Sequence, residues 1–225
     1  MFVKQREIKN LKKLKKMNEK EKIVVEPMRF EKAQNLDQLL MARKSSRNFI
    51  DSALTQSELG TILNAAKGVN RQDPTEERPF IGFTVPSAMH LSFIDLYVFT
   101  KDGIFKWVPE GYLCEVILKK DCRELTGKQE FVSKAAVNIV MVANYSKPEI
   151  VTSQMSTSDK KLYAAVEAGA VSQNIYLACA ALGLGTVVRA SFDNGSIINA
   201  LKIEKGMNEV ILAQSIGRVL ENMEQ

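Results

Sequence analysis

The chain has 225 residues, about the size of one large domain, with 45% hydrophobic and 25% charged residues and a formal net charge of +5. No apolar run approaches the roughly 18 residues of a membrane span, and the charged N-terminus lacks the apolar stretch of a secretory signal, so a cytoplasmic protein is expected. Three cysteines without a C-x-x-C pair and a single histidine, His90, exclude a disulfide framework, a histidine-rich zinc site and multi-histidine catalysis. Any enzyme chemistry is therefore expected to come from a bound cofactor.

The positive charge is concentrated at the N-terminus. Residues 1–22 contain eight Lys and one Arg against three Glu, a balance of +6, so the rest of the chain carries −1. The main part of the chain is thus not a basic nucleic-acid binder. The tail either contacts RNA or another anionic surface or forms a short amphipathic helix, and the apolar residues that recur every three positions from Ile8 to Met17 favour the helix. We expect a basic extension at 1–30 and one domain at 31–225.

Helices and strands alternate along the chain. The predicted elements are, in order, a strand at 22–27, helices at 36–43 and 56–67, a loop at 69–86, a hairpin of strands 94–99 and 104–108, a helix at 110–135, a strand at 137–144, a loop at 145–159, a helix at 160–182, a strand at 186–190, a helix at 197–201 and a strand at 210–217. Thr55 and Glu58 form a capping box, Gly68 is expected to end the second helix, and Asp159 is expected to cap the longest one. This alternation predicts α/β or α+β layers around a mixed sheet.

Two arginines and a hydroxyl lie close together in Arg43-Lys44-Ser45-Ser46-Arg47. If the chain leaves the preceding helix at Arg43 and runs extended, residues 43, 45 and 47 point to one side. Forked guanidinium hydrogen bonds suit a phosphate dianion. Taken alone, a basic pentapeptide is also typical of a solvated surface.

Two turns offer backbone groups to a ligand. Pro86-Ser87-Ala88-Met89-His90 ends the long loop, and its Pro-Ser turn offers a free hydroxyl beside a planar ligand. Gly183-Leu184-Gly185-Thr186 joins the longest helix to a strand, and its glycines permit a positive φ and a close approach. Each segment, taken alone, is equally an ordinary turn or helix cap.

Several blocks of this chain resemble, in the same order, those of nitroreductase-like flavoproteins, in the branch that includes thiazole/oxazole-forming peptide dehydrogenases. RKSSRNF (43–49) resembles the R-R-S-x-R-x-F/Y signature of that family. The other matching blocks are AAKGVNR (65–71), VPSA (85–88), EAGAVSQNIYLACAALGLGT (167–186) and AQSIGR (213–218).

The resemblance implies an α+β nitroreductase-like fold and a homodimer with two FMN sites at the subunit interface. It implies phosphate and ribityl contacts from Arg43, Ser45 and Arg47, assisted by Lys44, and a second phosphate cation at Arg218. It also implies that Pro86, Ser87 and Ala88 line the isoalloxazine from the partner subunit, that Gln129 meets the ribityl or pyrimidine edge, and that the backbone of Leu184, Gly185 and Thr186 faces the flavin N5/O4 edge. His90 stands where the family often has a small residue or Asn, and either packs near the flavin or donates a proton.

The implied activity is NAD(P)H-driven reduction of a nitroaromatic, a quinone or a similar small acceptor by a ping-pong mechanism. The chain does not distinguish NADH from NADPH. One alternative is an FMN-dependent oxidase or dehydrogenase that acts on a peptide or small ring. The other is a flavin-binding scaffold whose basic tail recruits a partner.

Overall fold

The computed structural model describes residues 21–27, 35–73, 80–146 and 153–219. The strands are β1 (Lys22–Val24), β2 (Val69–Asp73), β3 (Phe80–Phe83), β4 (Ile94–Thr100), β5 (Gly103–Val108), β6 (Leu113–Leu118), β7 (Val137–Asn144), β8 (Gly185–Arg189) and β9 (Asn208–Gly217). The α-helices in these ranges are α1 (Leu36–Ala42), α2 (Gln56–Lys67), α3 (Phe131–Lys134), α4 (Thr157–Ala181) and α5 (Asn194–Leu201). None of the helices in the described residues is long and apolar enough to cross a membrane.

Seven strands form one sheet in the order β1-β6-β5-β4-β7-β9-β8, while β2 and β3 form a separate hairpin. The α+β class is confirmed. Each neighbouring pair in the sheet is antiparallel, however, so the sheet of the described residues is not mixed. The crossover through α4 does give β7 and β8 the same direction, but β9 lies between them and runs antiparallel to both.

Helices cover both faces of the sheet. On one face α2 and α4 pack together, and their apolar side chains, among them Ile62 and Ile175, join the larger core cluster. On the other face Ile197 and Leu201 of α5 pack in a second cluster with Phe99. Strand β7 runs between the two clusters and is buried along all but its last residue, as the unbroken apolar run predicts. Helix α4 therefore packs on this face of the sheet, and side chains along its length can contact segments near either end of the helix.

Several helix ends follow the predicted capping chemistry. The Asn35 side chain accepts a hydrogen bond from the Asp37 N–H, and the predicted capping box of α2 is present in full. Helix α4 begins earlier than predicted, because the Ser156 hydroxyl, rather than Asp159, caps it by accepting from the Asp159 N–H.

Two predicted segments are wrong in part. The predicted loop at 69–86 contains the β2–β3 hairpin, and its middle, 74–79, lies outside the described residues. The predicted helix at 110–135 contains β6, two short 3-10 turns and the single turn α3. Strand β6 pairs with β5 on one side and β1 on the other, so sheet pairing rather than helical spacing decides this segment.

The predicted N-terminal extension contributes one strand to the domain. Strand β1 pairs with β6 through Lys22 and Glu115, Ile23 and Cys114, and Val24 and Leu113. The predicted boundary near residue 30 and the predicted amphipathic segment at 8–17 lie outside the described residues.

Candidate functional site

The arginine segment, residues 43–49, leaves α1 and runs along the edge strand β8. The backbone of Arg43, at φ −60° and ψ 116°, turns out of the helix into an extended path, as predicted. The Ser46 N–H then donates to the Thr186 carbonyl at 2.9 Å. The fold thus brings the arginine segment against the predicted Gly185–Thr186 turn, although about 140 residues separate the two blocks.

Tyr176 of α4 connects this segment to the sheet. Its hydroxyl lies 2.8 Å from the Ser45 Oγ and accepts the Val188 N–H at 3.1 Å. The Arg43 guanidinium carbon lies 5.4 Å from the centre of the Tyr176 ring, within the range of a cation–π contact. One nearly buried tyrosine therefore orients two of the predicted phosphate ligands at once.

Phe49 anchors the other end of the arginine segment. It is buried, forms an antiparallel bridge with Val219, and packs in a small apolar cluster whose members include Phe131 of α3. The two phenyl rings are tilted, with centroids 6.0 Å apart. Gln129 is exposed just before α3, and its carbonyl accepts the Val132 N–H at 3.0 Å. Packing on Phe49 thus holds the backbone that carries Gln129 beside the arginine segment.

The two glycines of the 183–186 turn serve different purposes. Gly183 has a positive φ of 65° and ends the helix, as predicted. A Cβ on Gly185 would stand 2.3 Å from Cγ1 of Val219 and 3.0 Å from Cβ of Ser46. The space that Gly185 leaves is therefore filled by the chain itself, so this glycine allows Val219 and Ser46 to pack closely against β8.

Much of the turn's backbone is already hydrogen-bonded. The Leu184 N–H donates to the Cys179 carbonyl at 2.9 Å, and the Thr186 carbonyl accepts from Ser46. The Thr186 hydroxyl donates to the Ser215 carbonyl at 2.8 Å. The predicted backbone contacts from Leu184, Gly185 and Thr186 to a flavin stay a prediction. Such contacts would have to come from backbone groups of the turn other than the hydrogen-bonded ones named here.

The four predicted phosphate cations differ in their surroundings. Arg43, Lys44 and Arg47 reach the surface, and no carboxylate in the described part of the chain pairs with them. Arg218, in contrast, donates to both carboxylate oxygens of Glu58, at 2.9 and 3.1 Å. The charge of Arg218 is thus already compensated, and its role as a second phosphate cation stays a prediction that this ion pair opposes.

The predicted flavin-lining turn, Pro86–His90, lies against α4. The Ser87 hydroxyl accepts the Ser92 N–H at 2.7 Å and donates to Oε2 of Glu167 at 2.9 Å. The expectation of a free hydroxyl at Ser87 is therefore wrong. Pro86, Ala88 and His90 are exposed, so the turn presents these residues outward.

This turn has an uncommon backbone. Met89, His90 and Ser92 have φ values of 49°, 56° and 49°, in the left-handed region that non-glycine residues seldom adopt. Each such residue costs on the order of 1 kcal/mol, and strain of this kind persists where surrounding contacts impose it, often at functional sites.

The two halves of the predicted site lie at different levels of α4. Ser87 contacts Glu167, whereas Ser45 contacts Tyr176 nine residues further along the helix. At 1.5 Å per residue, the two contact points are separated by about 13 Å along the helix axis. A single chain thus holds the arginine segment and the Pro86–His90 turn apart.

Sequence reasoning did not single out two of these side chains. Tyr176 and Glu167 lie in the Ala-rich run of α4, where the sequence alone assigned neither of them a role. Helix α4 contains two carboxylates, Asp159 and Glu167, and two tyrosines, Tyr163 and Tyr176, and local spacing does not distinguish the buried, bonded member of each pair. A buried acid requires a partner, but the sequence did not indicate which residue supplies it.

Comparison with known proteins identifies the class. A model of the nitroreductase family matches residues 40–218. A protein of Methanocaldococcus jannaschii whose name places it among the nitroreductases is 32% identical over 190 residues, 83% of this chain and 92% of the relative. The chain belongs to the nitroreductase family, and it is accordingly an oxidoreductase.

Solved structures agree with the fold. A crystal structure of a Ralstonia eutropha JMP134 protein, also named as a nitroreductase, has 31% sequence identity and a TM-score of 0.76, and covers 89% of this chain and 90% of that chain. The NADPH:FMN oxidoreductase of Vibrio harveyi in complex with NAD+ has 19% identity and a TM-score of 0.58, with 83% and 69% covered. The predicted nitroreductase-like fold is confirmed.

Proposed function

We propose that this protein is an FMN-dependent oxidoreductase that carries two electrons from NADH or NADPH to a small acceptor, such as a nitroaromatic or a quinone, in two half-reactions at one site. Membership of the nitroreductase family and the fold shared with an NADPH:FMN oxidoreductase support the cofactor pair.

One observation carries the proposal. Arg43, Lys44 and Arg47 stand beside the Gly185–Thr186 turn without a described carboxylate partner, while Arg218 nearby is neutralised by Glu58. Three uncompensated cations and the Ser45 hydroxyl form the donor set that a phosphate dianion requires. The residues present therefore fit the phosphate end of FMN.

The remaining roles follow from this placement. Bound FMN would supply hydride-type redox chemistry. Arg43, Lys44, Ser45 and Arg47 bind its phosphate and ribityl chain, and Tyr176 holds Arg43 and Ser45 in position. Gln129 and the 184–186 turn contact the ring edge. Pro86, Ser87 and Ala88 cover the ring from a second copy of the chain.

A homodimer is part of the proposal, because the two halves of the site are apart in one chain. Its contact surface is the apolar face formed by α1 and α4, which pack together. Met41 of α1 is 87% exposed, and Leu162 and Val166 of α4, one helical turn apart, are 58% and 63% exposed. Large exposed apolar side chains on neighbouring helices are typical of an interaction surface.

His90 is the residue of this chain placed to deliver a proton to an acceptor. It is exposed on the Pro86–His90 turn, which in the proposed dimer faces the ring of the partner subunit's site. The reduced acceptor can take its proton from the imidazole of His90 or from water.

Steady-state kinetics test this function. Rates are measured with the FMN-loaded protein while NAD(P)H and a quinone or nitroaromatic are varied together. Parallel double-reciprocal lines are expected, because the oxidised nicotinamide product leaves before the acceptor binds. Slow reduction by either nicotinamide beside rapid turnover with oxygen would contradict the proposal in favour of an oxidase.

A further inference from the structure

On its buried side, the Pro86–His90 turn is hydrogen-bonded to an ion pair that the proposed chemistry does not use. Glu167 is 2% exposed, and its Oε1 accepts from the Lys67 ammonium at 3.0 Å. The same oxygen accepts the Ile94 N–H at 3.2 Å, and Oε2 accepts the Phe93 N–H at 3.0 Å and the Ser87 hydroxyl at 2.9 Å. Four donors therefore converge on one buried carboxylate.

The cation of this pair is itself fixed. Lys67 is the last residue of α2, and its ammonium also donates to the Ile94 carbonyl. The Lys67 carbonyl accepts the Trp107 indole N–H at 2.9 Å, which ties the end of α2 to β5. The ammonium lies 5.3 Å from the centre of the Phe83 ring. The pair thus joins α2, α4, β4, β5 and the turn at one point.

A buried ion pair is not needed for stability at such a point, because well-packed apolar residues often serve as well or better. The pair does fix the orientation of the Glu167 carboxylate, which faces the Ser87 hydroxyl. Through Ser87, Glu167 reaches the Ser92 N–H, and Ser92 closes the three left-handed residues of the turn. The strained path at Met89 and His90 is thereby imposed from the buried side, while Met89 stands 58% exposed on the other.

We propose that Glu167, paired with Lys67, is a positioning residue that acts through Ser87 to fix the Pro86–Ser92 turn in the conformation that meets the flavin and the acceptor in the partner subunit. This inference rests on the proposed function. It assigns Glu167 to the acceptor half-reaction and not to phosphate binding, which belongs to the arginine segment at the other level of α4.

Ser87→Ala is the informative variant, because it breaks the link between Glu167 and Ser92 and leaves the ion pair in place. Ser87→Thr keeps the hydroxyl, and the extended backbone of Ser87, at φ −134° and ψ 135°, accepts a β-branched residue. Ser133→Ala, which removes an exposed serine hydroxyl bonded to the Glu130 carbonyl, is the matched control.

Four measurements are made on the full chain: the FMN dissociation constant and, on the FMN-loaded protein, amide hydrogen exchange in residues 86–94, the visible circular dichroism of the flavin, and the KM and kcat for the acceptor. For Ser87→Ala, loss of one hydrogen bond predicts about three- to tenfold faster exchange at Ser92, together with a changed flavin dichroism and a raised acceptor KM. The FMN dissociation constant is expected to change much less than the KM. Ser87→Thr restores the wild-type values, and Ser133→Ala does not depart from them.

Two results overturn the proposal while the proposed function stands. Exchange at 86–94 that is unchanged in Ser87→Ala means that Glu167 does not hold the turn. Faster exchange without a change in flavin dichroism or acceptor KM means that the Glu167–Ser87–Ser92 bonds stabilise the turn but do not position it for the acceptor. A wild-type protein that rejects FMN is a different result, because it overturns the proposed function and the positioning role together.

Discussion

Tyr176 is the residue on which the local geometry of the arginine segment depends most. Its hydroxyl is shared between Ser45 and the Val188 N–H, and its ring faces Arg43. Motif reasoning found the cations but not the tyrosine that orients them, because this contact spans 131 residues of sequence. Binding residues can be recognised from a local signature, whereas the residues that hold them come from the fold.

Tyr176→Phe should weaken both the fold and the site. Removing the hydroxyl leaves the Val188 N–H without its acceptor, which costs about 1–3 kcal/mol of unfolding free energy. FMN should also bind less tightly, since Ser45 loses the hydroxyl that positions it, while the ring contact to Arg43 remains. Urea unfolding and an FMN titration measure the two effects. Tyr163→Phe, on the same helix, is the control, and a Tyr176→Phe protein that matches it in both measurements would refute this role.

The Glu58–Arg218 pair makes a prediction about pH. Partial burial acts to raise the pKa of Glu58, but hydrogen bonds from Thr55 and the charge and hydrogen bonds of Arg218 outweigh it and hold that pKa below 4.5. A carboxyl with a depressed pKa in the folded state stabilises the protein above the pKa of the unfolded chain. That stabilisation is lost as the pH falls through the folded value.

The unfolding free energy of the wild type should therefore fall more steeply below about pH 4.5 than that of Glu58→Gln. Urea unfolding between pH 3 and pH 6 measures the difference, with Glu124→Gln, at an exposed carboxylate, as the control. Equal slopes for the wild type and Glu58→Gln would mean that the pair contributes no pH-dependent stability.

Among the elements, β8 and the arginine segment lie directly against each other. This contact depends on Gly185, where a Cβ would overlap Val219 and press on Ser46. The effect of filling this space is local, because β8 is an edge strand and the arginine segment lies on its outer side.

Gly185→Ala should displace the arginine segment from β8. Overpacking of this kind costs about 1–3 kcal/mol, and the FMN dissociation constant should rise with it. Gly195→Ala, where the nearest atom is 3.5 Å away, is the control. Thermal unfolding and an FMN titration distinguish the two variants, and wild-type behaviour of Gly185→Ala would show that the segment does not need this approach.

At the same scale, the sequence predicted elements well where local chemistry decides them. The Thr55–Glu58 capping box and the apolar run of β7 are found as predicted. The hairpin β2–β3 and strand β6 were missed, since their residues become strands only through partners elsewhere in the sheet or hairpin. The antiparallel pairing on both sides of β9 likewise follows from the order of the strands in the sheet, and the spacing of apolar residues within β9 does not indicate it.

At the scale of the whole molecule, the account requires two copies of the chain. The arginine segment and the Pro86–Ser92 turn are separated along α4, and the α1–α4 face carries large exposed apolar side chains. A partner that covers this face would bring the turn of one copy to the arginine segment of the other.

Val166→Asp should shift the protein toward monomers, because it places a charge in the middle of the proposed contact. FMN affinity should fall together with the dimer fraction. Val24→Asp, which alters an exposed apolar residue of β1, at the opposite edge of the sheet from β8, is the control. Sedimentation velocity and an FMN titration follow the two quantities, and a Val166→Asp protein that stays dimeric would place the interface elsewhere.

The central claim is that this chain binds FMN through the arginine segment and uses it for two-electron chemistry. The most direct test is the visible spectrum of the protein purified with FMN supplied, recorded before and after anaerobic addition of NADH or NADPH, for the wild type, Arg47→Ala and the exposed control Lys120→Ala. We expect stoichiometric FMN that bleaches in the wild type and in Lys120→Ala. Loss of a charge-assisted phosphate contact should weaken FMN binding in Arg47→Ala by about 10- to 100-fold. A colourless wild-type protein that rejects added FMN would contradict the account, and undiminished FMN in Arg47→Ala would place the phosphate elsewhere.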